Sequence, residues 1–182
     1  YDLQRVGGVL WASTNALGLA RIDARGWKYF SIEHGLPDKS YYGLSLVPQA
    51  DGRAILWAGS LRTGAVRVDV TDPDRPQWVS VPKLPTPPDP FVYEVVPDGR
   101  GNLFVSTNYG ASLWQPKPDG SFTARNFHRA DGLPHDENNY GALQVDSMRR
   151  IWLGTLGGLG VFTPQAIATG PLAPAPLVLE RV

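Results

Sequence analysis

A strand–turn–strand segment recurs four times along this chain with nearly constant spacing, and it constrains the fold more than any other feature. In its last copy, residues 151–155 alternate between the two faces of a strand, and a glycine turn leads into a second apolar stretch. One aromatic residue anchors each copy, with spacings of 46, 47 and 48 residues: Trp11, Trp57, Phe104 and Trp152. A period of about 40 to 50 residues filled with short strands is typical of propeller blades.

A second motif keeps the same period. Residues 34–37 read His-Gly-Leu-Pro and residues 131–134 read Asp-Gly-Leu-Pro, with a shorter copy, Lys-Leu-Pro, at 83–85. Between these markers, short apolar stretches are separated by Gly, Pro, Asn and Asp, which are turn-forming residues. The sequence therefore predicts an all-β fold, a β-propeller with about four blades of four antiparallel strands.

The predicted blades occupy residues 1–37, 38–87, 88–135 and 136–163. Each anchoring ring occupies the same strand position once per blade. We therefore expect these rings to pack between neighbouring blades, and we favour this interpretation over a set of rings that stack on a ligand.

The period stops after Phe162. Residues 163–176 carry four prolines, which predicts a linker, and residues 177–182 form one further apolar stretch typical of a strand. That strand either completes the outer edge of the last blade or begins another domain, and the sequence leaves both alternatives open.

Composition excludes several function classes. The 17 Lys and Arg side chains balance 17 Asp and Glu, so the net charge is zero and a nucleic-acid partner is not expected. The absence of cysteine excludes a disulfide framework and thiolate metal sites. No apolar run is long enough to cross a bilayer, so any contact with a membrane would come from other parts of a longer chain.

The candidate binding residues lie in loops that interrupt the repeat. In a propeller, the crossings between blades and the turns between the second and third strands share one face, and variable loops on a repeating framework commonly host binding sites. We predict that the following residues bind a ligand there: Lys39, Tyr41, Arg62, Asn108, Tyr109, His135, Asn138 and Tyr140.

Motifs for catalysis are missing from the sequence. His135 and Asp136 offer two metal ligands without a third, and no nucleophile elbow, zinc-protease motif or phosphate-binding loop occurs. The glycines at 157, 158 and 160 lie in a hairpin rather than before a helix, which argues against a dinucleotide loop. We predict no catalytic residue, no metal and no cofactor.

The chain also resembles a known family. The pattern LWxGTxxGLxxxD followed by DGLP is the signature of the two-component regulator propeller repeat. Residues 152–155, Trp-Leu-Gly-Thr, are close to that pattern, whereas Trp11 is followed by Ala-Ser-Thr, Trp57 by Ala-Gly-Ser, and the third copy has Phe104. The resemblance covers roughly residues 1 to 163.

The resemblance implies a periplasmic sensor domain of a hybrid histidine kinase or diguanylate cyclase. It implies a parent propeller of seven blades or a multiple of seven, so we expect this chain to be part of a larger ring. It also implies that an immunoglobulin-like domain follows such a proline-rich link, and the strand at 177–182 is one candidate for the start of that domain. An open ring exposes strand edges, so we also expect self-association.

These expectations give a non-enzymatic domain that binds a small molecule or an oligosaccharide. Two alternatives remain. One is a propeller lyase or glycoside hydrolase, which the absence of an SxDxGxxW motif disfavours. The other is a scaffold for protein interactions.

Overall fold

Four antiparallel sheets follow one another along the chain in a computed structural model that describes residues 2–79 and 84–163. In each sheet the strands are neighbours in chain order, which is the meander of a propeller blade. The first blade contains β1 (Leu3–Val6), β2 (Val9–Ser13), β3 (Leu19–Asp23) and β4 (Gly26–Phe30). The second contains β5 (Tyr41–Pro48), β6 (Ala54–Ser60), β7 (Ala65–Asp69) and β8 (Gln77–Trp78).

The third blade contains β9 (Val92–Pro97), β10 (Leu103–Thr107), β11 (Ala111–Pro116) and β12 (Phe122–Phe127). The fourth has three strands within the described residues, β13 (Asn138–Val145), β14 (Ile151–Thr155) and β15 (Gly158–Phe162). The predicted all-β propeller is confirmed. The predicted linker and strand at 164–182 lie outside the described residues.

Three of the four anchoring rings pack between blades as predicted. Trp11 is fully buried against the second blade, Trp57 is 3% exposed against the third, and Phe104 is fully buried against the fourth. Trp152 differs because its ring lies on the face of the fourth sheet that points away from the third blade. No further sheet is described on that side. It remains half-buried, covered by the guanidinium of Arg150 at 4.9 Å from the ring centre.

The opposite end of the array also keeps an apolar face open. On the first blade, Leu3 is 61% exposed, Trp27 64% and Tyr29 42%. In the second blade, the side chains at the matching face, such as Leu56 and Val68, are fully buried against Trp11 and its neighbours. Self-association through such a face stays a prediction.

A hydroxyl group closes the hairpin between the second and third strands of every blade. Thr14, Ser60, Thr107 and Thr155 lie three residues after the anchoring rings, and each donates a hydrogen bond to the carbonyl of a glycine just before or at the start of the next strand, at 2.6–2.8 Å. This contact explains why the repeat ends in Thr or Ser followed by Gly.

The Thr107→Val variant is expected to lose about 1 kcal/mol of unfolding free energy, because it removes the 2.6 Å hydrogen bond from a buried hydroxyl to the carbonyl of Gly110. That carbonyl keeps the N–H of Thr107 at 3.1 Å and the amide of Asn138 at 2.7 Å, so it is not left without a donor. Urea denaturation followed by circular dichroism measures the loss. Thr123→Val is the control, since that hydroxyl is exposed and should change stability by less than about 0.5 kcal/mol. Equal losses in both variants would contradict the proposed role of the hydroxyl.

Leu156 and Gly157 form the two-residue turn of the fourth blade, and Gly158 begins β15. The sequence predicts positive φ for Gly157 and Gly158. Only Gly158 has it, with φ 138°. Gly157 is required for a different reason: a Cβ there would lie 2.7 Å from the carbonyl oxygen of Pro134. The turn therefore packs directly against the crossing that enters its own blade.

The Gly-Leu-Pro motif ends a short 3₁₀ turn in two of the three crossings between blades. These turns span Ile32–His34 and Arg129–Asp131, and each is followed by a glycine in the left-handed conformation. The next residue, Leu36 or Leu133, is buried between two blades. In the second crossing Leu84 takes the same role and packs against the core between the second and third blades.

Candidate functional site

The segments that cross from one blade to the next and the turns between the second and third strands of each blade lie on one face, as predicted. Two consecutive carbonyls of each crossing accept N–H groups from the turns of two successive blades. Lys39 accepts from Gly18 at 2.8 Å, and Ser40 accepts from Leu61 at 3.2 Å. In the second crossing the carbonyls of Pro90 and Phe91 accept N–H groups in the same way. In the third crossing those of Asp136 and Glu137 do so. Each crossing therefore joins two blades and positions the start of the next inner strand.

Four aromatic side chains converge where these inner strands begin, and we call them the axial aromatic cluster: Tyr42, Phe91, Tyr93 and Tyr140. The ring of Tyr42 lies 5.0 Å from Phe91, 6.2 Å from Tyr93 and 5.7 Å from Tyr140. Phe91 and Tyr93 are 4.7 Å apart. Three blades thus contribute rings to one cluster, with Tyr140 37% exposed.

A cleft of about 460 Å³ adjoins the cluster at Tyr140. Its lining comes from the inner edge of all four blades: Asp2, Gly43, Leu44, Ser45, Glu94, Val96, Tyr140, Gly141, Leu143 and Gln144. Because inner strands surround the axis of a propeller, this cleft lies on the axial side of the array.

Two carboxylates in the cleft link neighbouring blades. Asp2 Oδ2 accepts the backbone N–H of Leu44 at 2.9 Å, and Glu94 Oε2 accepts that of Leu143 at 3.0 Å. Both N–H groups lie at bulges in β5 and β13, where the ladder leaves a donor unpaired. The pairing of the first and second strands places Asp2 in the first blade and Glu94 in the third blade at equivalent positions. Gly43 occupies the same position in the second blade.

Burial raises the pKa of Glu94 to about 7, and repulsion from Asp2 acts in the same direction. The backbone N–H groups of Leu143 and Gly141 oppose this shift because they stabilise the ionised form. Glu94 therefore changes charge near neutral pH.

We expect the stability of the protein to fall as pH rises from about 4.5 to about 7 because of Glu94. In this window the Glu94 carboxyl has released its proton in the unfolded chain but still holds it in the folded chain, so the loss is roughly 3 kcal/mol and levels off above the folded pKa. Urea denaturation across this range should show the slope in the natural chain and lose it in Glu94→Gln. A slope that persists unchanged in the variant would refute the assignment.

The predicted binding residues divide into three groups. Asn108 and Tyr140 reach the cluster, since Asn108 Oδ1 accepts the hydroxyl of Tyr93 at 2.9 Å and Tyr140 contacts Tyr42. Lys39 and Arg62 are exposed, and Arg62 pairs with buried Asp38 at 3.2 Å. Tyr109 is 52% exposed and lies against His128.

Three other predicted residues make contacts that stabilise the crossings and turns. Tyr41 is fully buried, its hydroxyl accepts the N–H of Asp38, and burial raises its pKa. Asn138 is 1% exposed and its amide donates to the carbonyls of Thr107 and Gly110. His135 uses Nδ1 to accept the N–H of Glu137, as the carboxylate of Asp89 does for Phe91 in the preceding crossing. Buried Tyr41 and Asn138 therefore offer no surface to a ligand.

The sequence interpretation missed Phe91, Tyr93, Glu94 and Asp2. A signal was present for the rings: an aromatic residue occurs just after every crossing, at Tyr42, Tyr93 and Tyr140. Among the described residues, no group of three or more His, Cys, Asp or Glu side chains could hold a metal ion. Within the same part of the chain, no helix is long and apolar enough to span a membrane.

Comparison with known proteins gives structural matches only. No protein-family model matches the chain, and no curated protein matches it. The extracellular domain of the putative hybrid two-component system BT3049 from B. thetaiotaomicron is 17% identical, with a TM-score of 0.57 over 90% of this chain and 21% of that one. The corresponding domain of BT4673 is also 17% identical, with a TM-score of 0.51 over 87% and 26%.

In fold, this chain is similar to extracellular domains of two-component systems. The resemblance recognised in the repeat is thereby confirmed at the level of the fold. Virginiamycin B lyase from Staphylococcus aureus, in a catalytically inactive form with quinupristin, is similar as well, at 16% identity and a TM-score of 0.57 over 90% of this chain and 56% of the lyase. The chain thus spans about a fifth to a quarter of the two-component domains and about half of the lyase.

Proposed function

We propose that this chain is a non-enzymatic, ligand-binding part of an extracytoplasmic sensor, located in the periplasm and belonging to a membrane signalling protein. The histidine kinase or diguanylate cyclase that such a sensor controls belongs to other parts of the protein. The ligand is a small molecule or an oligosaccharide, bound at the axial aromatic cluster and the cleft beside it.

The convergence of four rings from three blades beside an open cleft is the observation that carries this proposal. Aromatic faces provide large, rigid contact areas, and the cleft volume of about 460 Å³ lies in the range of small-molecule sites. Because the site is built from separate blades, a bound ligand contacts all of them at once. It can therefore shift the packing of the blades if its affinity differs between two arrangements.

Calorimetric titration with cellotetraose and xylotetraose tests the site. We expect at least one of the two to bind, and Tyr140→Ala to weaken that binding about tenfold through loss of a stacking face. Tyr29→Ala is the matched control, because Tyr29 is similarly exposed, at 42% against 37%, but lies on the outer part of the first blade. Binding that is equally reduced by both variants, or unaffected by Tyr140→Ala, would place the ligand elsewhere.

A lyase activity is the second candidate, supported by the likeness in fold to virginiamycin B lyase. The described histidines lie in the crossings, and two of them, His34 and His135, use Nδ1 to accept backbone N–H groups. Neither lines the axial cleft. Incubation with quinupristin followed by chromatography should leave the compound unchanged, whereas formation of a product would favour the enzyme.

A further inference from the structure

Among the residues that the structure describes, the lining of the axial cleft includes two acidic side chains and no basic one. We propose that it binds the alkylammonium group of a small cationic ligand, held between Asp2 and Glu94 with the Tyr140 ring as one wall. This inference rests on the proposed function and narrows its ligand from any small molecule to a cation.

Charge in the cleft supports a cation because nothing in the described residues neutralises the two carboxylates. None of the ion pairs within residues 2–79 and 84–163 includes Asp2 or Glu94. The groups that stabilise ionised Glu94 are two backbone N–H donors, and Asp2 adds repulsion. A carboxylate has about four acceptor positions, so these bonds leave room for a further donor.

Other acidic groups in the chain are arranged differently. Asp74 receives Arg21 and Arg25 from the neighbouring blade, Asp38 receives Arg62, and Asp146 receives Arg150 at 2.7 Å. Asp98 and Asp119 also lack a basic partner among the described residues, but each accepts hydrogen bonds from several donors of its own turn, whereas Asp2 and Glu94 line an open cleft. An ammonium ion entering the cleft would supply the missing charge.

The aromatic wall favours the same chemistry. A ring face attracts a cation within about 6 Å of its centre and gives little to an anion. Tyr140 both lines the cleft and contacts Tyr42, so the cluster extends the wall from the cleft to the face of the crossings. A phosphate or a carboxylate at this position would instead meet two like charges.

Cation binding is expected to depend on pH in a defined direction. Glu94 holds a proton below about pH 7, and a cation beside it favours the ionised form, so binding should strengthen as pH rises through this value. The other titratable groups that line the cleft are Asp2, before β1, and Tyr140, on β13, while β5 contributes Gly43, Leu44 and Ser45. If the probe carries a charge that does not change with pH, the pH dependence of its binding comes from Glu94.

Choline and 3,3-dimethylbutan-1-ol form a matched pair, since they share a shape and differ in a charged nitrogen against a neutral carbon. By calorimetry or nuclear magnetic resonance titration, we expect choline to bind at least about tenfold more tightly, with affinity rising with pH. Glu94→Gln and Asp2→Asn should each weaken choline binding about tenfold and leave the alcohol unchanged. Glu33→Gln is the control, because that carboxylate is exposed outside the cleft.

Each outcome has a distinct meaning. Equal affinity for choline and the alcohol, or binding of cellotetraose without binding of choline, overturns the cationic ligand and spares the proposed function. A lack of binding by choline, the alcohol and both oligosaccharides overturns the two together. Thermal denaturation shows whether each variant folds, and if Glu94→Gln is unfolded, Asp2→Asn decides the question by itself.

Discussion

Trp57→Ala is expected to lower the free energy of unfolding by about 3–5 kcal/mol, the cost of removing a large aromatic side chain from a closely packed core. The indole is 3% exposed and lies between two sheets, with the ring of Trp114 at 6.3 Å and that of Phe122 at 6.1 Å. Urea denaturation followed by circular dichroism measures the change.

Trp152→Ala is the matched control for this prediction. Trp152 has the same position in the repeat, but it faces away from the third blade and remains half-buried. Its contacts are a hydrogen bond from Nε1 to Asp146 at 2.9 Å and the guanidinium of Arg150. We expect a loss of about 1–2 kcal/mol. A loss under about 1 kcal/mol for Trp57→Ala, or equal losses for both, would contradict the packing of rings between blades.

Gly18→Ala is expected to be the other severe substitution. Gly18 has φ 83°, which disfavours any Cβ, and a Cβ there would overlap the carbonyl oxygen of Phe30 and lie 2.8 Å from its carbonyl carbon. Left-handed strain and the overlap with backbone together should cost about 3–5 kcal/mol, enough to prevent folding of a marginal domain.

Gly120→Ala separates the two causes, because Gly120 has φ 79° and no atom within 4 Å of the added Cβ. It should lose only the strain component, about 1–2 kcal/mol. Thermal and urea denaturation of both variants provide the comparison. If Gly18→Ala were as stable as Gly120→Ala, the close contact between this turn and the strand that precedes the crossing would not exist.

Periodicity predicted the parts of the fold that repeat. The fixed spacing of Trp11, Trp57 and Phe104 identified one position per blade. When similar sheets stack, a ring at that position packs against the face of the next blade. The same rule explains Trp152, whose ring has no described blade to meet. An aromatic residue occupies all four positions, and the surroundings of Trp152 differ because the described sheets end with its own blade.

Bulges at the start of the inner strands explain most of what the sequence did not predict. The register shifts between Tyr41 and Leu44 and between Asn138 and Leu143. Adjacent Tyr41 and Tyr42 point to opposite faces, as alternation along a strand requires, one in the core and one in the aromatic cluster. The register shift decides which of the two faces the core, because a shift of one residue exchanges the faces. Spacing alone does not distinguish them.

The acidic lining of the cleft was hidden for a related reason. Asp2 and Glu94 are far apart in sequence, and they become equivalent only when the strands are aligned through their pairing with β2 and β10. Their partners are backbone N–H groups freed by the bulges, which carry no signal in the side-chain pattern. A pair of carboxylates that bind the main chain therefore cannot be recognised from residue types.

Chemical-shift perturbation of the backbone amides during titration with choline, and separately with cellotetraose, tests the binding site most directly. We expect shifts concentrated at the inner strands of all four blades, near Asp2, Tyr42, Glu94 and Tyr140. Perturbations confined to the outer strands β4, β8 and β12, or an unchanged spectrum with both probes, would contradict it.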